Sequence, residues 1–171
     1  MQRPEPSEYA APYGTYIRLV PEGAILDVLR TQIVDTLDVL KAVSEDTSLV
    51  HHAPYTWSFR DVVGHLADTE RVFAYRALRF ARGDAQSLPG FDENVYAQRA
   101  QADRRLLTDL ASEFETVRRS TLFLFASLDE DAWSRSGTAS DHPITVRALA
   151  YAIAGHARHH TAILKQRLAA T

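Results

Sequence analysis

The sequence predicts an all-α protein built as a four-helix bundle. Three observations carry this: four segments in which apolar residues recur at alternating spacings of three and four, no run of alternating β-branched residues, and 171 residues with 46% hydrophobic side chains, enough for one core. Helices with one apolar stripe each bury those stripes most simply against one another.

The first helix is expected over 22–42, where Leu26, Leu29, Ile33, Leu37 and Leu40 share a face. The second is expected over 59–82. Ser58 caps it, and Asp61 takes the reciprocal place of a capping box. Its seam runs Val62, His65, Thr69, Val72, Arg76, and Gly83 with the later Pro89-Gly90 ends it. Asp103 is expected to open the third helix, about 104–128, with Leu107, Leu110, Phe114, Val117, Thr121, Leu124 and Leu128 on its face. The 21 residues from 83 to 103 exceed the roughly 2 to 8 that join neighbouring helices in a bundle. A crossover is expected there, with a short helix in 92–100. The polar stretch 134–143 reads as a loop, after which Thr145 caps a fourth helix over about 146–169. The seam of that helix is Leu149, Ile153, His156, His160, Ile163 and Arg167. Residues 1–21, with Pro4, Pro6, Pro12 and Pro21, read as an extended N-terminal arm ahead of a bundle domain over 22–171.

Composition narrows the function classes. A net charge of -3 gives no broad positive field for a phosphate backbone, so no nucleic-acid partner is expected. There is no cysteine, which excludes disulfides and thiolate metal sites and means that any reacting thiol must arrive with a ligand. The first residues lack the apolar run of a secretory signal, and no stretch reaches the roughly 18 apolar residues of a membrane span. A cytoplasmic protein with no membrane partner is expected. Helix two also carries Arg76, Arg79 and Arg82, which against 22 acidic residues read as solvated faces.

The histidines carry the chemistry. Residues four apart share a helix face, so His156 and His160 can converge on one ion. Both interrupt the apolar seam of helix four, and His65 does the same in helix two. Burying an unpaired polar group costs about 1 to 3 kcal/mol, so three seam histidines call for a common partner. They are either core histidines satisfied by carboxylates, hydroxyls or buried water, or the ligands of one metal ion. Three imidazoles with an open fourth position suit zinc and would also accept nickel or ferrous iron. Such a position would activate water for hydrolysis or hold a thiol as its thiolate. His159 lies about 100° around the helix from His160, off the seam. His51, His52 and His142 fall in loops and read as surface polar residues.

Three stretches resemble one family: Trp57-Ser58-Phe59-Arg60-Asp61-Val62-Val63-Gly64-His65-Leu66-Ala67-Asp68-Thr69-Glu70, then Phe91-Asp92-Glu93-Asn94-Val95-Tyr96, then Thr145-Val146-Arg147-Ala148-Leu149 with Gly155-His156-Ala157-Arg158-His159-His160. In this order and spacing they are similar to the DinB-like superfamily of metalloenzymes. The resemblance implies an up-down-down-up bundle in which helices two and three run parallel, which accounts for the long crossover. It also implies a divalent metal on one histidine of helix two and an HxxxH pair of the last helix, positions held here by His65, His156 and His160. It implies no DNA chemistry. Characterised members are transferases and isomerases that use glutathione, mycothiol or bacillithiol, so a small-molecule substrate and a low-molecular-weight thiol cosubstrate are expected, and a homodimer by the habit of the family and of oligomers generally.

Asp68 and Glu70 are the nearest carboxylates in sequence to orient a ligand histidine, since such histidines usually donate their other N–H to an oxygen. For Glu70 beside Arg71 a solvated face is the preferred reading. Asp92 and Asn94 fall where the resemblance places pocket-lining residues, or they cap the short helix. Arg118 either meets a carboxylate of thiol or substrate or snorkels to the surface, the latter preferred. The function expected is a metal-dependent transferase or hydrolase; the alternative is a non-catalytic, stress-associated bundle whose ion is structural.

Overall fold

The computed structural model describes residues 2–170. Their helices are α1 (Ala11–Ile17), α2 (Ile25–Lys41), α3 (Glu45–Ser48), α4 (Phe59–Ala81), α5 (Glu93–Ala100), α6 (Leu107–Ala126), α7 (Glu130–Ser134) and α8 (Val146–Ala169). Strands β1 (Ser136–Ala139) and β2 (His142–Thr145) pair antiparallel, with Gly137 opposite Ile144.

The four expected long helices are α2, α4, α6 and α8. The Ser58–Asp61 capping box opens α4 with both reciprocal bonds formed, and the Thr145 hydroxyl accepts from the Ala148 amide at the start of α8. Around the bundle α4 packs on α6 and α8, and α2 packs on the same two helices from the other side. Contacts along their lengths give the directions. Arg60 reaches the Arg105 carbonyl while Glu70 meets Arg118, so α4 and α6 run parallel. Gln32 bonds Ala154 and Thr36 meets Thr161, so α2 and α8 are parallel too. His65 meets His156 while the Arg167 guanidinium lies over Phe59, so α4 and α8 oppose each other. The order is up-down-down-up, and the crossover 82–106, which carries α5, returns the chain to the starting end of α4.

Three segments differ from expectation. Asp103 does not cap α6; its carboxylate accepts from the Ser58 hydroxyl at 2.6 Å. The first amides of α6 are met instead by Glu45, which accepts from Leu107 N at 2.9 Å and Thr108 N at 3.3 Å while also taking Arg60 at 2.7 Å. In place of the expected loop at 134–143 the chain forms most of the hairpin Ser136–Thr145, extended by Leu88, which donates to Thr138 O and accepts from Ser140 N. The arm expected to be extended holds α1, packed against α8 so closely that a Cβ on Gly155 would lie 2.0 Å from Tyr16 O. Glu8 ties the same segment to the start of α8 by accepting from Thr145 Oγ1 and Arg147.

Along each long helix the apolar core falls into two sets. One gathers Ile25, Leu29, Phe73, Phe80, Phe125 and Leu149; the other gathers Ile33, Phe59, Leu66, Phe114 and Leu164. Between them lies a polar layer with Gln32, Glu70, Arg118 and His156, all buried. Apolar packing on both sides fixes this layer in a low-dielectric interior, where each polar group needs a partner.

Candidate metal centre

The polar layer begins with an ion pair. Arg118, fully buried, donates Nε and Nη2 to the two carboxylate oxygens of Glu70 at 2.7 and 2.8 Å, and Nη1 to Leu29 O and Gln32 Oε1. Gln32 in turn donates to Ala154 O. One network thus joins all four bundle helices. Glu70 and Arg118 are therefore neither the solvated face nor the snorkelling cation expected: the parallel register of α4 and α6 turns both side chains inward. Arg76 departs likewise from the solvated reading. It is buried, bonding Tyr13 Oη, Pro89 O and Ser140 Oγ.

Beside this network the three seam histidines meet. One ring nitrogen each from His65, His156 and His160 lies within 4.8 Å of the other two, a group able to hold a metal ion. Nε2 of His65 and Nε2 of His156 are 2.9 Å apart, and the His160 ring centroid is 4.9 Å from that of His65 and 4.6 Å from that of His156. Burial pushes His65 down to about 4 and, with His65 and His159 adding repulsion, His160 down to about 3. Burial, then the neighbouring histidines and Arg118, holds His156 well below the imidazole range. The rings are therefore neutral at pH 7, and each keeps a nitrogen lone pair to donate to a metal ion. An all-nitrogen set without thiolate or carboxylate fits a divalent ion of the zinc, nickel or ferrous class.

The surroundings orient and dry this group. The Thr69 hydroxyl lies 3.3 Å from His65 Nδ1, the place expected for a carboxylate. Trp57 stands 4.7 Å from the His65 ring and stacks at 6.5 Å on His160, while the edge contact of Tyr16 with His156 is 5.2 Å. Tyr16 is a contribution of α1 that sequence periodicity did not reveal. His159 lies off the group, 5.8 Å from Tyr16. Asp68 pairs with Arg71 at 3.3 Å rather than with a histidine. Asp92 caps α5, accepting from Asn94 N and Val95 N. Asn94 lines a cavity of about 320 Å³ that shares Trp57 with the site. A second group is His51, Asp61 and Asp103, whose two carboxylates line that cavity; His51 and Asp103 are exposed, and Ser58 bonds both carboxylates.

Comparison with known proteins agrees with this architecture. YfiT from Bacillus subtilis, described as a probable metal-dependent hydrolase with an unusual four-helix bundle topology, superposes with a TM-score of 0.74 at 15% identity, over 97% of this chain and 91% of that one. A mycothiol-dependent maleylpyruvate isomerase superposes with a TM-score of 0.68 at 16% identity, over 82% of this chain and 59% of that one. No curated protein matches the sequence. The family model of the DinB superfamily matches residues 29–164, a span that takes in the cap of α4, the crossover and all three histidines. With that match and the parallel central helices, the chain belongs to the DinB superfamily.

Proposed function

We propose that this protein is a divalent-metal-dependent enzyme, a transferase or hydrolase acting on a small molecule, with His65, His156 and His160 as metal ligands and a low-molecular-weight thiol as cosubstrate. The observation that carries the proposal is the convergence of three neutral, largely buried imidazoles within 4.8 Å. A bound divalent ion supplies Lewis acidity for polarising an oxygen or stabilising a sulfur anion. The chain does the rest. Thr69 sets the His65 ring, the Arg118–Glu70 pair fixes the layer behind His156, and Trp57 and Tyr16 exclude bulk water so that charge interactions act at low dielectric. The thiol is supported by the absence of cysteine and by the mycothiol dependence of one structural neighbour.

The alternative is a non-catalytic bundle in which the ion only joins α4 to α8. Phe59, Leu66 and Leu164 already unite these helices in one apolar cluster, which leaves a stapling ion little to add. Elemental analysis of untagged protein should find about one divalent ion per chain, lost in His65→Ala. Metal-loaded protein should then accelerate conjugation of glutathione, mycothiol or bacillithiol to an aryl halide. Metal without turnover on any thiol, together with a large drop in Tm on chelation, would favour the structural ion. A homodimer is part of the proposal, checked by light scattering.

A further inference from the structure

Among the described residues, one buried side-chain polar atom lacks a hydrogen-bond partner: Nη1 of Arg167. The residue is 2% exposed. Its Nη2 donates to Val50 O at 2.9 Å, Nε and Nη2 reach His52 Nδ1 at 3.4 and 3.3 Å, and the guanidinium lies 4.4 Å from the Phe59 ring centroid. None of the ion pairs among the described residues includes it. A buried guanidinium N–H without an acceptor is costly, and the planar fork is shaped for a carboxylate. Burial opposes the charge; Tyr55 and Asp61 favour it without bonding it.

Arg167 lines a cavity of about 240 Å³ together with Tyr55, Thr56, Trp57, Ile163 and His160. The proposed metal ligand and the unsatisfied cation therefore share one cavity. They stand seven residues apart on α8, two turns, or on the order of 10 Å along the axis. The wall between them is largely apolar. We propose that this cavity is a carboxylate-binding subsite, in which the Arg167 guanidinium turns its unpaired Nη1 into the cavity to take the carboxylate of a small acid whose apolar body extends toward His160. The orientation toward His160 rests on the metal-dependent reading above; the anion site itself does not. The acid is either the thiol cosubstrate or the second substrate.

Trp57 in the cavity wall gives a fluorescence readout. Metal-free protein titrated with hexanoate and with hexanol should bind hexanoate at least tenfold more tightly. Arg167→Met should abolish that preference. Should this variant fail to fold, having lost the bond to Val50, Thr56→Glu serves instead: it sets a like charge at an exposed wall position and should weaken hexanoate but not hexanol. Hexanoate and hexanol binding alike or not at all, or a folded Arg167→Met or Thr56→Glu that keeps the preference, overturns the subsite. Zinc-loaded protein then identifies the source of the carboxylate. Tighter binding of 6-mercaptohexanoate than of hexanoate assigns it to the thiol; equal binding assigns it to the other substrate. Failure to bind zinc would sink the metal-dependent reading while leaving the hexanoate comparison to decide the subsite alone.

Discussion

At the scale of single residues, the strongest structural commitment is the Arg118–Glu70 pair. Both charges are almost wholly removed from water; Arg118 satisfies both Glu70 oxygens, and Arg118 itself is satisfied by Glu70, Gln32 and Leu29. Removing one partner leaves the other charged and alone, which costs about 3 to 5 kcal/mol, whereas replacing both with apolar residues of similar volume is often neutral. Arg118→Met alone should therefore lower unfolding free energy by about that amount in urea titration. The double variant Glu70→Leu/Arg118→Met should recover most of it. Equal stability of the single and double variants would show that the pair is not a coupled unit. The sequence concealed this pair for a physical reason. Which charge on α4 faces which on α6 depends on the register of two helices joined through a 25-residue crossover, from Arg82 to Leu106. The histidines were legible because each breaks an apolar seam within its own helix, a property of local periodicity alone.

At the scale of elements, boundaries set by local hydrogen bonds were readable and those set by distant partners were not. Ser58 and Thr145 bond amides three residues ahead, so α4 and α8 begin where the sequence places them. Asp103 had the chemistry of a cap, but Ser58, 45 residues earlier, takes its carboxylate, and Glu45 serves α6 instead. The hairpin was hidden because its four-residue strands contain Gly137 and Pro143, poor strand formers held by Leu88 and by the packing of Phe80 over Gly137. The N-terminal helix poses the same problem, since its place depends on Gly155. An alanine there would put its Cβ 2.0 Å from Tyr16 O, against backbone that cannot rotate away. Gly155→Ala should displace α1 from α8 and cost about 1 to 3 kcal/mol or more as an overpacking change. Limited proteolysis should cut within residues 2–20 faster than in the parent. Unchanged protection would mean that α1 does not depend on this contact. Because Tyr16 rides on α1, the variant should also loosen the wall beside His156.

At the scale of the whole molecule, the histidine group makes stability depend on pH in the metal-free protein. Burial lowers His65 to about 4 and His160 to about 3, below the ordinary value near 6.5 that both regain on unfolding. Between those limits the unfolded chain binds more protons than the folded one, so acid favours unfolding. The stabilisation is fully present above about pH 6.5 and is lost as pH falls to about 4 for His65 and about 3 for His160. Each such histidine contributes a slope of about 1.4 kcal/mol per pH unit inside its window. Urea midpoints of chelator-treated protein should fall between pH 6.5 and 5, above the range where Glu8 and Glu113, whose pKa values are lowered by their arginine partners in spite of burial, begin to protonate. His65→Phe removes one titrating group and should flatten the slope by about one proton. A divalent ion on the three nitrogens would act in the same direction at neutral pH, adding stability by preferential binding to the folded state, and would be displaced by the same protons on acidification. A metal-free protein whose midpoint does not move between pH 6.5 and 5 would mean that the three imidazoles are not held neutral by burial and do not stand as a ready-made ligand set.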